Sequence, residues 1–74
     1  MLNIQKLRNE LMNISDSYGD FVDGVIKTVT SRNDEVLCNK LIEFISSNPQ
    51  TNTSDVLNKM FDIYKPWEEH SENY

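Results

Sequence analysis

Apolar residues recur three and four positions apart through most of this chain, and that rhythm limits what it can become more than any other feature. Ile4, Leu7, Leu11 and Ile14 fall on one helical stripe. Phe21, Val22, Val25, Ile26 and Val29 trace a second, and Val36, Leu37, Cys38, Leu41, Ile42, Phe44 and Ile45 a third. Val56, Leu57, Met60, Phe61, Ile63 and Tyr64 make the fourth. Between the stripes lie residues that stop or start helices: "SDSYGD" at 15–20, "SRND" at 31–34 and "SSNPQTNTS" at 46–54. The pattern predicts an all-α chain, a compact bundle of four short helices at about 2–14, 17–30, 34–47 and 54–65. These form one domain over 1–65, followed by a polar tail over 66–74.

Each predicted boundary has a local cause. Ser17 with Asp20 three residues later resembles a capping box, with Asp in place of Glu. Asp34 and Glu35 place negative charge at the start of the third helix, where exposed backbone N–H groups favour it. Pro49 disfavours helix at the residue before it, and Thr53 or Ser54 caps the fourth helix, with Asp55 in its first turn. The ambiguous stretch is 21–30. "VIKTVTS" is rich in β-branched residues and Gly24 lowers helix propensity, so a strand competes there. No second strand is available to pair with it, and an unpaired strand leaves its backbone groups unsatisfied, which favours helix. The third stripe is the widest and marks the central helix. The expected core is Ile4, Leu7, Leu11, Phe21, Val25, Val29, Leu37, Leu41, Ile45, Leu57, Met60, Phe61 and Tyr64.

Seventy-four residues at 38% apolar give one modest core, and chains of this size commonly carry a staple. Here Cys38 is the single cysteine, so no internal disulfide forms, and one cysteine with one histidine makes no ordinary zinc site. Tight packing, self-association or folding against a partner must substitute. The first helix, followed by a loop, reads as the most detachable element, and Ile4, Leu7 and Leu11 are its candidate homodimer contacts. "MLNIQKLRNEL" carries charges where a secretory signal would be apolar, and no apolar run approaches the roughly 20 residues of a membrane span. With the lone thiol, this predicts a cytoplasmic protein off the membrane. The chain has no alanine and abundant Asn, Lys and Ile, a composition expected of an AT-rich bacterial or phage genome.

The net charge of −5 is unevenly placed. Residues 1–32 carry four cations and four anions, whereas residues 33–74 carry three cations against eight anions. Phosphate backbones repel such a surface, which makes nucleic acid an unfavoured partner.

A search for chemistry finds no constellation. Asp16, Asp20 and Asp23 sit at i, i+4 and i+7 and read as a solvated face of the second helix, continued by Lys27. The run from Asp16 does not fit a calcium loop, because Tyr18 stands where an oxygen ligand belongs. Cys38 lies among apolar neighbours and reads as a buried, inert thiol, and His70 reads as a solvated residue of the acidic tail. Gly19 and Gly24 make no phosphate-cradling loop. The sequence therefore predicts no enzyme, no catalytic or metal-binding residue and no cofactor.

The positive signal is the tail, "YKPWEEHSENY", which sets aromatic side chains in acidic surroundings. Such a combination suits a protein–protein contact, and Tyr64, Trp67, Glu68, Glu69, Glu72 and Tyr74 are its candidate partner-binding residues. The implied partner is another protein with a basic surface, bound by a small regulator, inhibitor or adaptor. In the competing reading, Pro66 turns the chain back and Trp67 packs as a lid on the fourth helix. One further alternative uses residues 37–65. "LIEFISSNPQTNTSDVL" resembles the opening helices of helix-turn-helix DNA-binding transcriptional regulators. After the fourth helix only the short, Pro66-containing tail remains, so the fourth helix would itself have to read DNA. Its polar positions, Asp55, Asn58, Lys59, Asp62 and Lys65, balance two cations against two anions, and the turn from Pro49 to Asn52 is long and without glycine.

Overall fold

The computed structural model describes residues 2–63, and these form four helices. They are α1 (Ile4–Met12), α2 (Gly19–Arg32), α3 (Glu35–Ser47) and α4 (Thr53–Ile63). The described chain is all-helical, with no strand among its residues, so 21–30 is helix. Thr28 and Thr30 show how a β-branched run stays helical there: their hydroxyls donate back to the carbonyls of Gly24 and Ile26. That satisfies polar side chains within the helix itself.

Helix ends differ from expectation by a few residues, each for an identifiable reason. Asn3 caps α1, its side chain accepting from the Lys6 N–H. The helix stops at Met12 rather than continuing to 14, and the backbone tightens. Ile14 N–H donates to Leu11 and Ser17 N–H to Ile14, three residues back in each case. Ile14 is still buried, delivered to the core by this turn rather than by the helix. The expected capping box at Ser17 does not form. Tyr18 is the N-cap of α2, in extended backbone and without a side-chain cap, and the Ser17 hydroxyl is buried without a partner. Asp20 nevertheless sits in the first turn, where its charge suits the helix dipole.

The link from α2 to α3 is two residues long. Asn33 adopts the left-handed conformation (φ 50°, ψ 44°), its N–H donating to Thr30 while the Asp34 N–H donates to Val29. This pair closes the last turn of α2 as a Schellman motif, with Asn in the position usually held by glycine. Asp34 then starts α3, its carboxylate accepting from the Leu37 N–H at 3.0 Å. At the other end of α3, Asn48 donates its side-chain amide to the Phe44 carbonyl at 2.7 Å and Pro49 ends the helix. The N-cap of α4 is Asn52, one residue before the expected Thr53 or Ser54; it accepts from the Asp55 N–H at 2.8 Å.

The core joins Leu7, Leu11 and Ile14 with Phe21, Val22, Val25, Ile26 and Val29, Leu37, Cys38, Leu41, Ile42 and Ile45, and Val56 and Met60. α3 packs against the other three helices and is the central one. α1 rests chiefly on α3, and Leu7 and Leu11 are fully buried. The stripe considered for homodimer contact is thus used inside this fold, and only Ile4 retains some exposure. The fourth helix departs most from the expected core. Val56 and Met60 face inward, whereas Leu57 is 37% and Phe61 63% exposed. Both belong to a second i, i+4 stripe, one residue further round the helix, and the groove side of the bundle takes the first. Tyr64 lies outside the described residues.

Candidate functional site

All six residues expected to bind a partner, Tyr64, Trp67, Glu68, Glu69, Glu72 and Tyr74, lie outside the described residues, as does His70. Within residues 2–63 the surface features that stand out are apolar. Tyr18, Leu57 and Phe61 are exposed, and Met12 and Val36 are exposed on other faces. Tyr18 packs its ring against Phe21, with centroids 5.9 Å apart and the rings tilted by 41°.

Tyr18, Phe21, Gly24 and Val25 of the α2 side face Leu57 and Met60 of α4 across an open groove of about 310 Å³. The groove exists because α4 packs chiefly on α3 rather than on α2. Gly24 deepens it: a Cβ placed there would meet nothing within 4 Å. Its volume is at the small end for ligand pockets, and its rim holds only Asp20 and Thr28 as polar groups.

The acidic trio breaks up in the fold. Asp16 is not on α2 but in the turn before it, where its carboxylate accepts from the Thr53 N–H at 2.9 Å and the Thr53 hydroxyl at 3.1 Å. It therefore supports the start of α4 from outside that helix. Asp23 lies 3.7 Å from the Arg8 guanidinium in a surface ion pair with both side chains well exposed, a contact of small energetic weight. No group of three His, Cys, Asp or Glu among the described residues could hold a metal ion. Cys38 is completely buried, as its apolar neighbours implied.

The helix–turn–helix formed by α3 and α4 presents a mixed outer face. Asp55, Leu57, Asn58, Phe61 and Asp62 of α4 are exposed. Lys59, one of the two cations counted on that helix, places its ammonium 5.6 Å from the Phe44 ring centroid of α3. That cation–π contact draws its charge against the neighbouring helix. Sequence reasoning missed the groove because periodicity does not say which of two adjacent stripes on α4 turns inward.

No helix among the described residues is long and apolar enough to cross a membrane. No protein-family model matches the chain, and neither the curated proteins nor the solved structures hold a significant match to it.

Proposed function

We propose that the protein is a non-enzymatic binding module whose partner is another protein with a basic surface. The observation that carries this reading is the outer face of α4, where exposed Leu57 and Phe61 stand beside exposed Asp55 and Asp62. Apolar anchors rimmed by charge suit a protein partner, and a face carrying two carboxylates repels phosphate. The charge surplus of residues 33–74 extends the same sign, and Tyr64, Trp67, Glu68, Glu69, Glu72 and Tyr74 continue the surface along the chain. In this role the protein acts as a regulator, inhibitor or adaptor in the cytoplasm, and its composition suits a bacterial or phage genome.

The test is a pull-down from nuclease-treated lysate with the native chain and with Phe61→Ser. A stoichiometric protein that the native chain captures and the variant loses supports the reading. Salt-sensitive retention of DNA fragments, with no protein left after nuclease, overturns it in favour of the helix-turn-helix alternative on residues 37–65.

A further inference from the structure

The groove between α2 and α4 leaves Leu57 partly bare and is open at the end of α4 where the chain leaves it. Met60 forms part of its wall, and Ile63, the last residue of α4, follows three positions later. That places the helix end about 4.5 Å along the axis from Met60 and about 9 Å from Leu57. Trp67 comes four residues after Ile63, and four extended residues span up to about 13 Å. Trp67 therefore reaches every part of the groove wall that α4 supplies. Pro66 precedes it and cannot be carried in a continuing α-helix without loss of a hydrogen bond and a clash, so the direction of the chain changes within a turn of Ile63.

We propose that the groove is the docking site for the chain's own following segment, with the Trp67 indole seated over Leu57 and Met60 in the space above Gly24. Three observations converge on this occupant. The floor is apolar and Gly24 contributes no side chain, which leaves room for a flat ring. Trp67 is the single tryptophan, the largest apolar group following α4, and its burial removes more apolar surface from water than any other side chain there. The indole N–H requires an acceptor when buried, and the Asp20 carboxylate and Thr28 hydroxyl line the same groove. Docking covers the groove and brings Glu68 and Glu69 to its edge at a fixed position. Only that last consequence, an ordered acidic edge for a basic partner, rests on the proposed function. The docking itself is a property of the free protein.

The experiment accordingly uses the full chain without a partner. Trp67 fluorescence in the native protein is expected to be blue-shifted and weakly quenched by acrylamide relative to the urea-unfolded chain. Gly24→Arg fills the groove with a helix-compatible side chain; it should shift the emission to the red and raise quenching several-fold, with the far-UV circular dichroism unchanged. If that variant fails to fold, nuclear Overhauser contacts from the Trp67 indole to the Leu57 and Met60 methyls of the native chain decide the matter alone. Native emission equal to that of the unfolded chain overturns the proposal. So does blue-shifted emission that Gly24→Arg leaves untouched, and so does the absence of those methyl contacts. Emission that shifts with protein concentration assigns the groove to a second copy and also overturns it. A failed pull-down with docking intact would discard the proposed function and leave this inference standing.

Discussion

Asp16 and Thr53 stand 37 positions apart and are joined twice, the carboxylate accepting from both the backbone N–H and the hydroxyl of Thr53. The first N–H groups of a helix have no partner within it. Here Asn52 serves one of them and Asp16 another, so α4 starts under two side-chain acceptors, one local and one from the α1–α2 turn. The negative charge also suits that end of the helix dipole.

Asp16→Ala should therefore lower stability by about 1 kcal/mol, the usual cost of losing a capping acceptor. Thr53→Ala should cost less, because its N–H remains. In a double-mutant cycle by urea denaturation, the two changes should be non-additive; additive losses would show that the contact carries no energy in solution.

Asn33 tests the link between α2 and α3. Glycine tolerates its left-handed backbone better than any other residue, so Asn33→Gly should leave the thermal midpoint level or slightly raised. Asn33→Val should lower stability by about 1–2 kcal/mol, because a β-branched side chain is strained there. Equal midpoints for the two variants would contradict the left-handed assignment.

The two stripes on α4 predict opposite responses to truncation. Phe61→Ser should change stability by no more than about 0.5 kcal/mol, since Phe61 is largely exposed. Leu41→Ala should cost about 2–5 kcal/mol through the cavity it opens in the fully buried core of α3. Chemical denaturation of both variants checks the ranking, and a large loss in Phe61→Ser would place that ring inside the bundle.

Thr51 is buried, with its hydroxyl unpaired. A buried polar group without a partner is costly, and valine has the same shape without the hydroxyl. Thr51→Val should raise stability by about 1 kcal/mol, visible as a thermal midpoint some 4–8 °C higher for a domain this small. A lowered midpoint would mean that the hydroxyl is hydrogen-bonded in solution.

Much of this architecture is legible in the chain because each helix carries its own apolar stripe and its own punctuation. Asp34 reads as a helix start and is one; Pro49 reads as a stop and is one. What periodicity leaves open is phase. Val56 with Met60 and Leu57 with Phe61 have the same spacing, and either pair could line a core. The choice falls to how α4 lies on α3, which the sequence of α4 alone does not contain. Asp16 illustrates the second limit. Its spacing from Asp20 and Asp23 is helical, yet α1 unwinds after Met12 and α2 begins only at Gly19, so the carboxylate is free to serve a helix distant in sequence. The exposed groove beside Gly24 follows from the same packing choice and has no local signature.

The resting of α1 on α3 has a consequence for the order in which the fold is assembled. Synthesis delivers the N-terminal side first, so Leu7 and Leu11 emerge well before the surface that will cover them. The α2–α3 hairpin, closed by the two-residue link at Asn33 and Asp34, brings together neighbours in the sequence and has the lower loop-closure cost. α1 should accordingly gain protection from hydrogen exchange only after α2 and α3 have done so. Pulse-labelling during refolding would show this, and early protection of Leu7 and Leu11 amides would reverse the order.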